Sequence, residues 1–441
     1  MIPTRFPAGA MREGRRAIAV VALTVFLAAV PLGCRSTNVA PVGSPGAQPA
    51  LARDEARLWK QAEEEERQLQ AKAAIYDDPL LNDYLNVVAQ RLVPPEVKEA
   101  GLLKIRIRTI KDPSLNAFTY PNGAVYVHTG LLARIENESQ LAVVLAHEIT
   151  HATNRHALEF QRSARNKAIG FSIASLVGSL VVANAAGQRA ERGDWGGAYV
   201  LNQVGNILVG LGLELGFLAA VNGFGRELER EADEVGLQRM VAAGYDPRQA
   251  PRVFELLKDD HGDDPKLEVF FFGSHPRLNE RAEDMQELLK TRYAGTGGES
   301  RVTDRRDFQM RTRTLVRENA QLNIEAGRLG TAEADLTRVL ALTPNDPVAH
   351  YFYGQLLERR AVEAKDPADA AGLFREALGR YEQAARADTR YADPYKAIGI
   401  LKYKAGKKAE ALTAFKRYLE LRPDAPDARQ IKDYLLELEA G

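Results

Sequence analysis

Cysteine is nearly absent from this sequence, because Cys34 is the only one among 441 residues. A single cysteine excludes an intramolecular disulfide, and it excludes a zinc cluster built from several thiolates. Any metal ion must therefore be held by histidine and carboxylate side chains. Histidine is scarce as well, with seven in the chain.

An excess of either charge is also absent. Lysine plus arginine and aspartate plus glutamate each number 59, so no net field attracts nucleic acid or an anionic membrane. The composition, 45% hydrophobic and 27% charged, is typical of folded globular domains, and the length predicts two or three of them. The sequence therefore predicts no nucleic-acid partner.

Residues 1–34 are predicted to be an export signal. Basic residues precede an apolar run at 17–30 that is short for a membrane span. The run ends in Leu32-Gly33-Cys34, which resembles a bacterial lipoprotein cleavage site and predicts a membrane anchor through a lipid on Cys34. Because Pro31 stands where that motif usually has leucine, an ordinary cleaved signal with an incidental cysteine is the alternative. Both readings place the protein outside the cytoplasm.

Composition divides the rest of the chain into segments. Residues 35–50 are rich in proline, glycine and alanine and are predicted to be a tether. Residues 51–290 are predicted to be the next domain, beginning with amphipathic helices at 51–74 and 79–93. A glycine-rich stretch then predicts a linker over residues 291–312.

A small sheet is predicted after these helices. Residues 103–110 alternate between apolar and charged side chains, as a half-buried strand does. Two further strands, at 116–120 and 124–128, are joined by Pro121-Asn122-Gly123, whose Asn-Gly step suits a tight hairpin turn.

Two long apolar stretches, at 168–186 and 204–221, are each long enough to be candidates for a membrane span. Serines, asparagines and many glycines interrupt them, and a charge such as Glu214 is costly in lipid. This composition favours buried or lid-forming helices. A membrane hairpin and shallow contact with a membrane surface are the alternatives.

Residues 313–441 repeat themselves. Repeat starts at Arg313, Pro347 and Ala392 are 34 and 45 residues apart, and the longer spacing contains an insertion of 11 residues around 359–369. Glycine and proline recur in register, which resembles tetratricopeptide repeats. Three helix pairs and a capping helix would form a short solenoid. A generic helical bundle is the alternative, but it would not explain the shared register.

The motif His147-Glu148-Ile149-Thr150-His151 lies in a helix predicted over residues 137–156. Histidines four residues apart project from one helix face and can converge on one ion. Glu148 can take a proton from the attacking water and deliver it to the leaving amine without occupying a metal position. The alternative is a helix whose histidines only satisfy buried hydrogen bonds. A catalytic zinc also needs a third protein ligand.

An acidic motif, Glu229-Arg230-Glu231-Ala232-Asp233, follows later in the chain. On spacing alone, most of its carboxylates would belong to a solvated helix face. Taken with the motif at 147–151 and with Gly244-Tyr245-Asp246-Pro247, it resembles the HtpX and BepA type of zinc endopeptidase, relatives of the CAAX prenyl proteases. The resemblance covers residues 77 to 289, and the appended repeats resemble BepA-like periplasmic proteases in particular.

The resemblance implies roles for further residues. Glu229 would complete the ligand set of His147 and His151 around one Zn²⁺ ion per chain, and Asp233 would orient a ligating histidine or donate a proton. His275 and Arg281 would face the metal, where they stabilise the developing oxyanion or fill the open coordination position. The remaining acidic residues of this helix would be surface charges: Glu227, Glu231 and Glu234.

The predicted fold is mainly α: a gluzincin-type metalloprotease domain with a small β-sheet, followed by an α-helical tetratricopeptide solenoid. An extended substrate is expected to pair with an edge strand, for which residues 124–128 are the candidate. The predicted function is a zinc endopeptidase of the periplasm that degrades misfolded or stalled envelope proteins. Its repeats would dock these clients or the outer-membrane assembly machinery. Two alternatives stay open: a repeat chaperone or scaffold with a normally silent peptidase, and a membrane-embedded peptidase of the HtpX kind.

Overall fold

A computed structural model of the protein describes residues 39–47, 50–166, 224–259, 278–296 and 305–440. Several sequence predictions lie outside these residues: the export signal with Cys34, the apolar stretches at 168–186 and 204–221, and His275. None of the described helices is long and apolar enough to cross a membrane.

The described residues up to 296 form short strands between helices. In chain order they are α1 (Arg53–Lys72), α2 (Pro79–Leu92), α3 (Pro95–Ala100), β1 (Arg106–Ile110), β2 (Ala117–Thr119), β3 (Ala124–His128), α4 (Thr129–Arg134), α5 (Glu138–Thr153), α6 (His156–Asn166), α7 (Arg226–Ala242), α8 (Gln249–Asp259) and α9 (Leu278–Thr291). The prediction of a mainly helical domain with a small sheet is confirmed.

The three strands form one sheet in the order β1-β3-β2. β3 pairs in parallel with β1 and antiparallel with β2. Gly123 has a φ of +85°, and a Cβ at this position would lie 2.7 Å from the Lys104 carbonyl oxygen, so the hairpin turn requires glycine. β3 is therefore the central strand, and the prediction that residues 124–128 form the free edge is wrong. The hairpin motif predicts that β2 pairs with β3, but it does not predict which edge of the hairpin pairs with β1.

α5 crosses the core of this domain. It begins after Asn137, whose side chain accepts a hydrogen bond from Gln140 N at 3.0 Å, as expected for an N-cap. Every residue from Glu138 to Thr153 is buried, since α2, α7, α8 and β2 all pack against this helix. α7 approaches α5 closely at Gly236, where a Cβ would lie 3.1 Å from His147 N. The two helices that carry the candidate ligands are therefore held in direct backbone contact.

The remaining described residues form helices only. They are α10 (Arg305–Glu325), α11 (Leu329–Leu342), α12 (Pro347–Glu363), α13 (Pro367–Ala387), α14 (Ala392–Lys404), α15 (Lys408–Leu421) and α16 (Ala428–Ala440). Gly354 of α12 faces the ring of Tyr381, and Gly399 of α14 faces the ring of Phe415, each closely enough to exclude a Cβ. The recurring glycines thus make room for an aromatic ring from the second helix of each pair. That these pairs are tetratricopeptide repeats stays a prediction.

The first of these helices begins earlier than the sequence suggests. α10 starts at Arg305, inside the segment 291–312 predicted as a linker, and Phe308 is 1% exposed. α10 packs against α4 of the preceding domain. Phe308 and Leu315 belong to the same hydrophobic cluster as the core around α5. The predicted linker therefore ends before Arg305; the other domain boundaries stay predictions.

Candidate metal centre

His147, His151 and Glu229 converge on one point. The two histidine Nε2 atoms are 2.9 Å apart, and carboxylate oxygens of Glu229 lie 3.4 Å from His147 Nε2 and 3.6 Å from His151 Nε2. Tetrahedral zinc with bonds of about 2.0–2.1 Å keeps its ligand atoms about 3.3–3.4 Å apart. The measured distances lie on both sides of this value, so the three side chains are close enough together to bind a single metal ion.

Local structure explains this convergence. His147 and His151 are one helical turn apart on α5, so their rings share a face. Glu229 lies in the first turn of α7, and Phe224, just before this helix, places its ring 4.9 Å from that of His151. All three candidate ligands are buried. Because α5 and α7 lie close together, the Glu229 carboxylate of the acidic helix α7 reaches both histidines.

Glu148 is buried next to the histidines. Its carboxylate oxygen Oε2 accepts a hydrogen bond from Thr119 Oγ1 at 2.7 Å. Thr119 is the last residue of β2, so the sheet fixes the orientation of this carboxylate. Glu148 is thereby held beside the point on which the ligand atoms converge.

Asp233 and Arg281 contact His147 at its Nδ1, on the side of the ring opposite to Nε2. Asp233 Oδ1 lies 2.9 Å from His147 Nδ1. Arg281 donates two hydrogen bonds to Asp233, from Nε at 2.7 Å and from Nη2 at 2.6 Å. A proton held on Nδ1 of His147 leaves the lone pair of its Nε2 free to bind a cation.

The charges of this cluster favour a cation. Burial opposes the charged form of His147, but hydrogen bonds to Asp233 and Glu229 outweigh burial and raise its pKa to about 9. Burial would also raise the pKa of Asp233; the Arg281 charge and the hydrogen bond to His147 lower it instead. The carboxylates that favour the protonated form of His147 would equally favour a metal cation bound at its Nε2.

A second pair of residues, His156 and Glu231, lies next to His151 and is not predicted by the sequence. His156 is 1% exposed, and its Nδ1 lies 2.8 Å from His151 Nδ1. Behind it, Glu231 Oε1 lies 3.7 Å from His156 Nε2. Asn154 Nδ2 donates to the same oxygen at 2.6 Å. The resemblance implies that Glu231 is a surface charge, and the predicted helix over residues 137–156 gives no sign that His156, at its end, contacts His151.

Of the seven predicted site residues, six lie together in the described part of the chain: His147, Glu148, His151, Glu229, Asp233 and Arg281. Arg281 reaches the centre, since its Nη1 is 3.7 Å from Glu229 Oε2, but its two shortest contacts are with Asp233. The seventh residue, His275, lies outside the described residues.

Comparisons with known proteins agree with this arrangement. Residues 79–289 match the sequence profile of peptidase family M48. The chain is 30% identical over 227 residues to the putative beta-barrel assembly-enhancing protease of Vibrio cholerae, covering 51% of this chain and 42% of that protein. It is 34% identical over 203 residues to the beta-barrel assembly-enhancing protease of Escherichia coli, covering 44% and 36%.

A mitochondrial relative is also similar. The chain is 30% identical over 218 residues to the mitochondrial metalloendopeptidase OMA1 of Schizosaccharomyces pombe, covering 48% of this chain and 56% of that protein. The chain thus spans between 36% and 56% of the length of these three relatives. The segment 79–289, which carries the candidate metal-centre residues on α5, α7 and α9, is therefore similar to peptidase family M48.

Proposed function

We propose that this protein is a zinc-dependent endopeptidase. The observation that carries the proposal is the convergence of His147 Nε2, His151 Nε2 and the Glu229 carboxylate on one point, with Glu148 beside it. Two nitrogens and one carboxylate oxygen are the donor set of catalytic zinc sites that keep a fourth position open. The similar proteins are named as proteases or as a metalloendopeptidase, which agrees with this chemistry.

Each protein group has one task in peptide hydrolysis. A zinc ion held by His147, His151 and Glu229 would supply Lewis-acid chemistry to the substrate carbonyl and the attacking water. Glu148 accepts the proton of that water and delivers it to the departing amine, and Thr119 holds this carboxylate in place. Asp233 and Arg281 fix His147 in the tautomer that presents Nε2. For His275 we keep the proposal that it stabilises the oxyanion or fills the open coordination position.

We place the substrate backbone on β2 rather than on β3. Phe118 lies opposite Tyr126 in a hydrogen-bonded pair of the hairpin, so the backbone groups of Ala117 and Thr119 point away from β3. An extended peptide can add there as a further strand. These residues are at most 3% exposed. The substrate can therefore pair with β2 only after this edge has been uncovered, which favours a protease that rests in a silent form.

The cellular role is an extension of the same proposal. Two of the similar proteins are named beta-barrel assembly-enhancing proteases. We therefore expect misfolded or stalled envelope proteins as substrates, in the periplasm, with a lipid on Cys34 as the anchor. The helix pairs over 305–440 would dock these clients or the outer-membrane assembly machinery, because stacked pairs offer an extended surface.

Purified full-length protein tests the enzymatic proposal. Cleavage of unfolded casein should require zinc and stop with a chelator. Glu148→Gln should keep zinc but lower kcat by at least about 100-fold, since a positioned acid-base group contributes about 10²–10⁴-fold. Glu229→Ala should lose zinc, and the matched control Glu227→Ala, on the same helix, should keep it. Zinc-loaded protein that cleaves nothing yet prevents casein aggregation would support the chaperone alternative instead.

A further inference from the structure

We propose that His156 is a positioning residue for the metal ligand His151, with Glu231 as its own partner. This inference rests on the proposed zinc site and adds a second supporting chain to it. His147 is held by a carboxylate, Asp233, at its Nδ1. At the corresponding Nδ1 of His151 lies the imidazole of His156, with its Nδ1 at 2.8 Å.

The direction of the hydrogen bond between His151 and His156 follows from the geometry. His151 points Nε2 toward His147 and Glu229, so this nitrogen offers its lone pair to the metal and the ring proton stays on Nδ1. That proton needs an acceptor, and His156 Nδ1 supplies it. A neutral His156 then carries its own proton on Nε2, which faces Glu231 Oε1 at 3.7 Å.

The backbone is shaped to bring His156 to this point. α5 ends at Thr153, and Arg155 adopts a left-handed conformation with a φ of 60°, which turns the chain back before α6 begins. The strain at Arg155 is held by its side chain, which pairs with Glu55 at 2.9 Å and donates to the Ala40 carbonyl oxygen at 2.8 Å. The position of His156 is thus imposed by contacts that lie outside the metal centre.

Glu231 is held in position from its other side. Asn154 Nδ2 donates to Glu231 Oε1 at 2.6 Å, and Asn154 Oδ1 accepts from Arg239 Nη2 at 3.1 Å. Arg239 also donates hydrogen bonds to Thr150 and Thr153, so this series of hydrogen bonds ends on α5. These contacts make Glu231 part of an ordered network, although its side chain is 43% exposed.

His156 is not a fourth metal ligand in this arrangement. Its Nδ1 meets the Nδ1 of His151, on the side of that ring opposite to the converging ligand atoms. The rings of His151 and His156 are nearly perpendicular, at 81°. The role of His156 is therefore to fix the tautomer and ring orientation of His151. Groups of this kind typically contribute about 10–100-fold to metal affinity.

Zinc affinity of the full-length protein, measured by competition with a metal buffer, tests the inference. His156→Phe keeps an aromatic ring but removes the acceptor, and should weaken zinc binding about 10–100-fold. His156→Asn places an amide oxygen near the position of Nδ1, and should recover most of this loss. The visible spectrum of the cobalt-substituted protein should change with His156→Phe and return toward wild type with His156→Asn, which a purely structural role would not produce.

Glu231→Ala provides an independent variant if His156→Phe does not fold. It should weaken zinc binding by a few-fold, on the order of 3–10, because Glu231 acts only through His156. The matched control is Glu234→Ala, on the same helix, which should bind zinc like the wild type. Wild-type affinity in both His156→Phe and Glu231→Ala would overturn the inference while leaving the zinc site intact. Failure of the wild-type protein to bind zinc would instead refute the proposed function.

Discussion

The contact between the peptidase domain and the first helix pair gives a stability prediction that can be worked in detail. Asp335 of α11 is 1% exposed. Its carboxylate accepts hydrogen bonds from Arg134 Nη1 at 2.8 Å and from Asn319 Nδ2 at 3.1 Å. Arg134 is the last residue of α4, the helix that directly follows β3. Asp335→Ala would therefore leave Arg134 of the peptidase domain without this buried carboxylate. It would also remove the hydrogen bond between Asp335 and Asn319 within the helix pair.

The magnitude follows from burial. Removing one partner of a buried ion pair typically costs about 3–5 kcal/mol, because the remaining charge stays desolvated. The Arg134 side chain is 14% exposed, so water reaches it in part. We therefore expect the lower end, about 3 kcal/mol. Glu363→Ala is the matched control: its pair with Arg359 is exposed at both ends, 51% and 56%, and should contribute less than about 0.5 kcal/mol.

Urea unfolding can separate the two parts of the chain. Both tryptophans, Trp59 and Trp195, precede the helix pairs, so fluorescence reports on the peptidase domain while circular dichroism reports on all helices. With Asp335→Ala, both midpoints should fall together, because the first pair shares the peptidase core. If the fluorescence midpoint stayed at its wild-type value while circular dichroism showed an early transition, the two parts would unfold independently and the reasoning would be refuted.

Two further predictions concern the helix pairs. Gly354→Ala would place a Cβ 2.3 Å from the Tyr381 ring and should destabilise the protein by about 1–3 kcal/mol. In the control Gly379→Ala, the new Cβ meets nothing within 4 Å, so this variant should be more stable than wild type by about 0.5–1 kcal/mol. Equal melting temperatures of the two variants would contradict this prediction. Deleting residues 347–441 should leave zinc binding and hydrolysis of a short peptide intact, while deleting residues 305–441 should abolish folding, and a soluble, active product of the longer deletion would show that α10 is dispensable.

Short-range signals in the sequence predict much of the metal centre. The Asn137 cap and the spacing of His147 and His151 define α5 and its metal-binding face, because both depend on contacts within one or two helical turns. The Asn-Gly turn likewise predicts the hairpin. These features need no knowledge of how distant segments pack. Their predicted bounds differ from the observed elements by only a few residues.

The third candidate ligand could not be predicted from such short-range signals. Nothing in the local sequence separates Glu229 from Glu231, since both belong to one acidic helix. Only the close approach of α7 to α5 at Gly236 decides which carboxylate reaches the histidines. A family resemblance can supply this choice, whereas periodicity cannot. The contact between His156 and His151 is hidden for the same reason, because it depends on the left-handed turn at Arg155.

The predicted linker shows the limit of composition as a guide. Glycines at 295–300 indicate a boundary, yet α10 begins shortly afterwards at Arg305. The apolar face of α10 could have been read from its sequence, but its partner could not. Phe308 and Leu315 pack into the core around α5, far away in the chain. Composition therefore locates the break between α9 and α10, but it does not show that the helices before and after this break share one hydrophobic core.

The strand order has a consequence for catalysis that neither sequence pattern nor motif could provide. Because β3 is central in the described sheet, an added peptide strand would pair with β2 or β1, and β2 contacts Glu148 through Thr119. The residue that orients Glu148 would then belong to the strand that holds the substrate. Any shift of β2 on substrate pairing would move Thr119 and so alter the position of the Glu148 carboxylate. With the substrate placed on β2 as we propose, the 2.7 Å hydrogen bond from Thr119 would couple substrate binding to the alignment of the base.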